Sequence, residues 1–471
     1  MQRRVITIVG GGFSGSMLAV QLARLPMTQR YACDVHLIEP RLTPGPGLAY
    51  TARRPEYRMN VQSQFLSAFP DQPDHFQNWL RLTDAAEFQQ DFCSRQVYGR
   101  YLQQLTHQVL EWPSSNGIRC YWQAQAAVAI ELAPDNNTAT VRLADGQEIQ
   151  SDYVVLAMGN FPPLPSSFSP SSGPTPYYHS NPWAQGALRS IGLDDTVLLI
   201  GSGLTAVDVL LGLQADGHRG SVTVVSGRSR WPEAHETYVE PYPSFYASEL
   251  AGQTQVLAVV KIIRQHVRKA TAAGINWRAV IDSLRPHLGH IWAAWPLEEQ
   301  ARFLRHVAGL WSVIRHRSPP QNAAIIERML QDGSLRMETG RVRELTSAGE
   351  ELQVTVHRPG HAPRHVTATH VINCTGPLLD YNRITDRAVL SLRDAGYLCP
   401  DVLRLGIQSD ACGALLSQDG IASPVLFTIG PSRRPAYFES TAVPELREQA
   451  AKLARELGKR ILTSNHSAKA L

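Results

Sequence analysis

The chain has 471 residues, of which 43% are hydrophobic and 18% are charged, and its formal net charge is +4. Such a length is too great for a single hydrophobic core, so we expect a globular protein of two or three domains. The mild charge, with no block of Lys or Arg, argues against nucleic acid as a partner, and the lack of a long apolar run argues against a membrane span.

The N-terminus and the cysteines bear on the cellular compartment. Two arginines precede a candidate strand at residues 5–9, and a signal peptide there would remove the glycine loop that follows, so we expect none. The six cysteines are scattered, and none forms a Cys-x-x-Cys pair. Free thiols in this pattern are typical of a cytoplasmic protein.

A glycine loop follows the first candidate strand. The strand at residues 5–9 runs into Gly10, Gly12 and Gly15 and then into a helix-like segment. In a dinucleotide-binding βαβ unit the first glycine permits a tight turn, the second lets the backbone approach a pyrophosphate, and the third lets helix and strand pack closely. The next strand ends at Glu39, whose carboxylate can accept hydrogen bonds from ribose hydroxyls. These features predict a dinucleotide site.

The segment after this unit is mixed. The predicted elements are a loop-rich stretch over 45–70, helices over 74–110, strands over 119–132 and 138–143, and a hairpin turn at residues 145–146. A buried strand over 153–157 then ends at Gly159. Residues 161–182 are rich in proline and serine, which predicts an irregular linker between domains.

A second glycine loop lies in a second predicted βαβ unit, over about 190–230. Its strand runs into Gly201, Ser202 and Gly203, and an alanine replaces the third glycine, which the fingerprint allows. No acid follows the next strand, where Arg228 and Arg230 occur instead. A carboxylate there would repel a 2′-phosphate, so its absence beside two arginines favours NADPH over NADH.

The C-terminal half begins with a helical, tryptophan-rich stretch over about 245–335, which we interpret as an insertion that forms a packed core, walls a pocket or provides a dimer face. Strands follow over 335–357, at 369–373 ending at Gly376, and at 425–429 ending at Gly430, and a helix covers 443–462. We predict an α/β fold with two Rossmann-like dinucleotide-binding domains and this helical insertion. The expected FAD-binding domain comprises 1–165 and 366–471, with an NADP-binding domain over 166–365.

These motifs together carry a family resemblance. The chain resembles the FAD/NAD(P)-binding flavoproteins related to class B, single-component flavin monooxygenases, in the bacterial branch that includes aspartate N-oxygenating enzymes. Besides the two glycine loops, the resemblance rests on residues 47–50 with 59–61, residues 226–235, residues 277–317 and residues 430–444. It spans nearly the whole chain. The linker departs from the class B fingerprint, because Gly173 and Thr175 occupy the positions of its phenylalanine and glycine, although His179 and Trp183 fit.

The resemblance implies a set of cofactor-binding residues. For FAD they are Gly10, Gly12, Phe13, Ser14, Gly15, Glu39, Asn60, Gly159, Gly376, Gly430, Ser440 and Thr441. For NADPH they are Gly201, Ser202, Gly203, Thr205, Arg228 and Arg230. The N-terminus of the last helix would stabilise negative charge on the flavin. The sequence indicates no metal site.

The activity implied by the resemblance is monooxygenation. NADPH would reduce FAD, and a flavin C4a-hydroperoxide would oxygenate, most simply N-hydroxylate, a small amine or amino-acid-like metabolite with O2 as co-substrate. Asn60, His235 and His316 are candidates for assisting the reaction. Candidates for binding an anionic or zwitterionic substrate are Arg315, Arg317, Arg433 and Arg434.

Two other functions remain open. One is an NAD(P)H-dependent flavin oxidoreductase that reduces a quinone or another carrier without inserting oxygen, although scattered cysteines argue against a disulfide reductase. The other is a flavin-dependent binding or tRNA-associated protein, or a partner subunit, without turnover. The expected compartment is the cytoplasm, and a homodimer is one assembly that the sequence leaves open.

Overall fold

Two parallel β-sheets, each flanked by helices, organise the chain. The computed structural model describes residues 3–26, 31–51, 54–111, 115–164, 175–238 and 240–467. The strands are β1 (Arg4–Val9), β2 (Cys33–Ile38), β3 (Ile118–Gln123), β4 (Ala127–Leu132), β5 (Ala139–Leu143), β6 (Glu148–Ser151), β7 (Tyr153–Leu156), β8 (Tyr178–His179), β9 (Val197–Ile200), β10 (Val222–Ser226), β11 (Leu335–Thr339), β12 (Arg341–Ala348), β13 (Glu351–His357), β14 (Arg364–Ala368), β15 (His370–Asn373), β16 (Ala414–Leu416) and β17 (Ala422–Thr428).

The helices flank these sheets and also form a separate layer. They are α1 (Phe13–Ala23), α2 (Gly47–Tyr50), α3 (His75–Thr83), α4 (Ala85–Phe88), α5 (Arg95–Glu111), α6 (Leu204–Ala215), α7 (Val256–Ala272), α8 (Trp277–Ser283), α9 (Leu288–Ala293), α10 (Leu297–His306), α11 (Ala308–Arg315), α12 (Pro320–Gln331), α13 (Arg387–Asp394), α14 (Arg434–Tyr437) and α15 (Val443–Ser467). None of the helices in the described parts of the chain has the length and apolarity that crossing a membrane requires.

The first unit is a six-stranded sheet with strand order β16-β17-β7-β1-β2-β3. All neighbouring strands pair in parallel except β16, which is an antiparallel edge strand. The apolar strands are buried on both faces, as parallel sheets require. Helices α1, α5 and α15 cover one face, and α13 with the small antiparallel sheet β4-β5-β6 covers the other.

The second unit is a five-stranded parallel sheet with strand order β11-β10-β9-β15-β8. Helices α6 and α12 pack on one face, and the antiparallel sheet β12-β13-β14 packs on the other. Strand β15 follows position 366, yet it pairs with β9 in this sheet. The sheet of the second unit therefore extends to Asn373, and we propose that the boundary between the units lies after this residue.

The structure corrects one predicted strand and confirms a turn. The single strand expected over 119–132 is wrong, because β3 pairs with β2 in the large sheet whereas β4 pairs with β5 in the small one. No Gly or Pro separates the two strands, so the local sequence does not mark the break. The predicted hairpin turn is confirmed between β5 and β6, with Gly146 at φ +90°. Much of the predicted linker, at 165–174, lies outside the described residues.

The helical insertion has a core of its own. Trp292, Trp295 and Trp311 are buried there with Phe303. The same cluster includes Phe438, from the segment just before the last helix. Of the roles considered for these aromatics, packing is therefore the one that the structure displays. The insertion is also attached to the C-terminal part of the first unit through Phe438.

A buried ion pair joins the two units. Arg95 begins α5 in the first unit, and its Nη2 donates to Asp208 Oδ2 of α6 at 2.9 Å. Burial raises the pKa of Asp208 to about 6, although the attraction of Arg95 opposes the increase. A second pair, Arg54 with Asp216 at 2.6 Å, lies near the C-terminal end of the same helix. Helix α6 is therefore held against the first unit at two points.

The Arg95–Asp208 pair predicts an asymmetric effect of substitution. Arg95→Met leaves an unpaired buried carboxylate and should destabilise the fold by about 3 kcal/mol at pH 8. At pH 6 the loss should be smaller, because Asp208 can then be protonated. Asp208→Asn, which keeps a hydrogen-bonding group, should cost less than Arg95→Met at pH 8. Urea unfolding at both pH values measures this, and an equal loss from Arg95→Met at both would contradict it.

Candidate functional site

The first glycine loop places the start of α1 at the carboxyl end of β1. Gly10 has φ +109°, and a Cβ added there would lie 2.3 Å from the carbonyl oxygen of Ala157. A Cβ added at Gly15 would lie 1.9 Å from the carbonyl oxygen of Gly10. Any side chain at either position would force the helix away from the sheet. The roles predicted for these two glycines therefore have a direct steric basis.

Helix α1 begins without a side-chain cap. Its N-cap is Gly12, which cannot accept a hydrogen bond through a side chain, and its first turn carries no acidic residue. The first backbone N–H groups of a helix have no partner within the helix, and they form the positive end of its dipole. Together with Phe13 and Ser14, Gly12 lines a cleft between the two units. This helix end therefore suits a phosphate group.

Glu39 lies at the end of β2 beside the first loop. Its side chain is only 2% exposed, and Oε2 accepts a hydrogen bond from the Gly11 N–H at 2.9 Å. Arg41 contributes both its backbone N–H and its guanidinium to the same carboxylate. The carboxylate is thus held in the wall of the cleft, where it can accept hydrogen bonds from the hydroxyl groups of a ribose.

The second glycine loop repeats the arrangement at the end of β9. Gly201 has φ +105°, and a Cβ added there would lie 2.8 Å from the carbonyl oxygen of Cys374. The N-cap of α6 is Gly203, again with no side-chain cap and no acidic residue in the first turn. A Cβ at Gly203 would lie more than 4 Å from every heavy atom of the residues that the structure describes. The space beside this helix end is therefore open, and Thr205 in its first turn lines the cleft.

Two strand ends meet on the floor of the cleft. Gly159 follows β7 with φ +69°, and Gly376 follows β15 with φ +93°. The chain segments after them pair through an antiparallel bridge between Phe161 and Leu378. Among the described parts of the chain, no heavy atom lies within 4 Å of a Cβ added at either glycine. The chain thus passes between the units twice, side by side, and leaves room above both glycines.

A hydrogen-bonded network precedes the last helix. The Ser440 hydroxyl donates to the carbonyl oxygen of Gly430 at 2.6 Å, and Gln449 bonds both residues from within α15. Ser440 is completely buried, whereas Thr441, the next residue, lines the cleft. Ser440 therefore fixes the loop that follows β17, and Thr441 is the residue of the predicted pair that faces the cleft.

Asn60 and His235, predicted as catalytic candidates, are in direct contact. His235 Nε2 lies 3.0 Å from the carbonyl oxygen of Asn60, so this nitrogen carries the proton. Burial lowers the pKa of His235 to about 4, partly offset by the bond to Asn60. The imidazole is therefore neutral near pH 7, and its contact joins the second unit to the first.

The four arginines predicted as substrate-binding candidates differ in how many hydrogen bonds and ion pairs their guanidinium groups already make within the protein. Arg315 pairs with Glu439 at 3.2 Å, and the side chains of both are about one-tenth exposed. Burial lowers the pKa of Arg434, whose Nε donates to the carbonyl oxygen of Phe438. His316 lies at the edge of this cluster, with Nε2 4.0 Å from Glu439 Oε1.

Arg317 and Arg433 are engaged within the protein. Arg317 is 2% exposed and donates to Asp282 Oδ2 at 2.8 Å and to two backbone carbonyls. Asp282 also accepts a hydrogen bond from Tyr238. Burial opposes the ionisation of Asp282, but Arg317 and the hydrogen bond from Tyr238 together lower its pKa. Arg433 is equally buried and donates to the carbonyl oxygens of residues 410 and 411.

Two charged residues that line the cleft, Arg95 and Asp208, were not predicted from the sequence. The available signal was Asp208, the single charged residue in the otherwise apolar segment of α6. A lone acid on a helix with no exposed polar face indicates either a buried partner or a functional role. Its partner lies 113 residues away along the chain, so local patterns could not identify Arg95.

Comparisons with known proteins agree with this geometry. Residues 7–161 match a protein-family model described as FAD-NAD(P)-binding. A comparison with curated proteins returns no match. The fold, with two parallel sheets and two glycine loops that face one cleft, is that of the flavoproteins with two dinucleotide-binding units.

Solved structures share this architecture over nearly the whole chain. The ornithine N-hydroxylase of Kutzneria sp. 744 is 14% identical and has a TM-score of 0.66, with 98% of this chain and 100% of that chain covered. The L-lysine 6-monooxygenase of Pseudomonas syringae is 16% identical with a TM-score of 0.63, and the same shares are covered. The bacillithiol disulfide reductase of Bacillus cereus is 13% identical with a TM-score of 0.52 and again the same coverage.

The low pKa of His235 predicts a pH-dependent stability. An unfolded histidine binds a proton near pH 6.5, so between about pH 6.5 and pH 4 the unfolded state binds more protons and stability falls as the pH falls. Lowering the pH from 7 to 5 should cost about 2 kcal/mol through this group. His235→Gln should remove that part of the loss, as measured by urea unfolding at both pH values. His361→Gln, at an exposed position, is the matched control, and equal losses in both variants would refute the assignment.

Proposed function

We propose that the protein is an FAD-dependent, NADPH-consuming monooxygenase that N-hydroxylates a small amine or amino-acid-like metabolite. The observation that carries this proposal is the pair of uncapped helix N-termini, of α1 and α6, that line one cleft. Each offers unpaired backbone N–H groups to a pyrophosphate, and a single cleft brings two dinucleotides within reach of each other.

The first unit would hold FAD. The first turn of α1 would bind its pyrophosphate, and the buried Glu39 carboxylate would accept hydrogen bonds from its adenosine ribose. Gly159 and Gly376 leave room on the cleft floor, and Thr441 lies at the start of the 25-residue helix α15. That helix would place its positive end toward the flavin, where it would stabilise negative charge on a reduced ring.

The second unit would hold NADPH. The first turn of α6 would bind its pyrophosphate, and Arg228 and Arg230 follow β10, where an NADH-specific site would have an acid. When both nucleotides are bound, the flavin would supply the activation of dioxygen, and the residues of this chain would provide orientation, charge and exclusion of water. The neutral His235 fixes the backbone of Asn60 and so connects the two units, although neither residue is among those that line the cleft.

The substrate would be recognised by the charged cluster where the helical insertion meets the segment before α15. Arg315 and Arg434 are the candidates for binding a carboxylate, because Arg434 uses only its Nε within the described contacts and Arg315 has a single carboxylate partner. Arg317 is engaged by three acceptors, so we assign it the positioning of Asp282. The proposal also places the protein in the cytoplasm and has it associate as a homodimer.

The alternative is a flavin oxidoreductase without oxygen insertion. Its disulfide-reducing form requires a cysteine pair near the flavin. All six cysteines are free, and none of them is among the residues that line the cleft. The four most buried also have a raised thiol pKa, mainly through burial, which disfavours a reactive thiolate. An oxidoreductase that reduces a quinone or another carrier needs no cysteine pair, and the experiment below distinguishes it from a monooxygenase.

Rapid mixing tests the proposed activity. FAD-loaded protein is reduced anaerobically with NADPH and then mixed with oxygen while the absorbance spectrum is recorded. The proposal predicts fast reduction, a transient near-ultraviolet band distinct from oxidised and reduced flavin, and incorporation of 18O from 18O2 into an added amine or amino acid. Reduction followed by electron transfer to a quinone dye, with no labelled product from any amine, would instead establish the oxidoreductase.

Gly203→Val separates the two nucleotide sites. The apo fold should tolerate the side chain, because a Cβ there would lie more than 4 Å from any heavy atom of the described residues, and Gly203 has φ −81°, which other residues readily adopt. The branched side chain would occupy the space of the NADPH pyrophosphate. We expect the variant to retain FAD and to lose reduction by NADPH at least tenfold, while dithionite still reduces the flavin. Unchanged reduction by NADPH would show that this helix end does not bind the nucleotide.

A further inference from the structure

The carboxyl ends of β10 and β11 bring a third arginine to the second nucleotide unit. The two strands are parallel neighbours, and Ser226 at the end of β10 is in register with Thr339 at the end of β11. The Gly340 N–H donates to the carbonyl oxygen of Ser226 at 3.1 Å, and Arg341 follows immediately. Ligands of open parallel sheets bind outside the carboxyl ends of the strands, so Arg341 reaches the nucleotide-binding edge from a different strand.

Arg341 lies against the loop that carries Arg228 and Arg230. A Cβ added at Gly227 would lie 3.9 Å from both Cγ and Nε of Arg341, which is ordinary van der Waals contact. The side chain of Arg341 therefore lies beside the backbone of Gly227, the residue that precedes Arg228. All three arginine side chains are exposed at this edge of the sheet.

The loop that carries Arg228 and Arg230 is fixed in place. Ser229 has φ +47°, a conformation that is uncommon outside glycine, and its Oγ lies 2.5 Å from Thr339 Oγ1. The Ser202 hydroxyl, in the second glycine loop, donates to the carbonyl oxygen of Arg230 at 2.7 Å. The loop is thus attached to β11 and to the pyrophosphate-binding loop, so the three arginines have a defined relation to the end of α6.

The charges at this edge are not balanced by the protein. Within the described part of the chain, Arg228, Arg230 and Arg341 have no carboxylate oxygen within 4 Å. Arg228 also lies against the N-terminal turn of α11, because a Cβ at Gly309 would lie 2.1 Å from its Nη1. A helix N-terminus carries partial positive charge and repels a cation, so this arrangement becomes favourable when an anion is bound.

From this arrangement we infer that Arg341 completes, with Arg228 and Arg230, a three-arginine subsite for the 2′-phosphate of NADPH. The inference deepens the proposed function and rests on its assignment of NADPH to the second unit. A phosphate monoester carries close to two negative charges and offers three oxygens, which match several guanidinium donors better than one. Arg341 comes from outside the βαβ fingerprint, and for that reason the sequence pattern did not reveal it.

Binding of nucleotide fragments tests the subsite without any turnover. Isothermal titration of the FAD-loaded protein measures the affinity of adenosine 2′,5′-bisphosphate, with 5′-AMP as the fragment that lacks the 2′-phosphate. Arg341→Gln should weaken binding of the bisphosphate about tenfold and leave 5′-AMP unchanged. Arg341→Lys should retain part of the affinity, because charge remains while the bidentate geometry is lost.

Arg336→Gln is the matched control. Arg336 is an exposed arginine near the start of β11, at the end of the strand away from Arg341, so its loss should change neither affinity. Retained FAD content verifies folding in each variant. The inference is overturned if Arg341→Gln binds the bisphosphate as tightly as the unaltered protein does, or if it weakens both fragments equally. Because no oxygen chemistry is involved, a failure here is distinct from a failure of the proposed monooxygenation.

Discussion

Two helix N-termini that no side chain caps are the constraint on which the rest of the structure depends. Helix ends are commonly closed by Ser, Thr, Asp or Asn, but α1 and α6 both begin at glycine. The unpaired N–H groups of such open ends can be satisfied by a bound anion, and here both ends line one cleft. The steric requirements at Gly10, Gly15 and Gly201 follow, because each keeps a helix end directly above the end of a strand.

Two helix ends can line one cleft only if the two units face each other, and contacts between the units hold them in that arrangement. Arg95 with Asp208 and His235 with Asn60 connect side chains and backbone across the seam. The chain itself passes between the units twice through neighbouring segments after β7 and β15. Helix α11 extends this arrangement into the insertion, since it starts beside Arg228 and ends at Arg315, which pairs with Glu439. The proposed NADPH-binding edge and the charged cluster around Glu439 thus lie at opposite ends of the short helix α11.

The sequence predicted what depends on local pattern. The strand, turn and helix at each glycine loop, the strand that ends before Glu39, and the last helix were predictable because their signals lie within a few residues of one another. Long-range pairing escaped prediction for the opposite reason. The separation of β3 from β4, the place of β15 in the second sheet and the contact between Arg341 and Gly227 depend on which distant segments become neighbours. The same limit applies to Arg95, which local sequence cannot associate with Asp208.

If each uncapped helix end binds a pyrophosphate, one cleft holds two dinucleotides at the same time. Native mass spectrometry of the purified protein with added FAD and NADP+ tests it most directly, because it counts the molecules bound to each chain. The account predicts a ternary complex that contains one FAD and one NADP+ per chain. A protein that binds only one dinucleotide, or in which NADP+ displaces FAD, would contradict it.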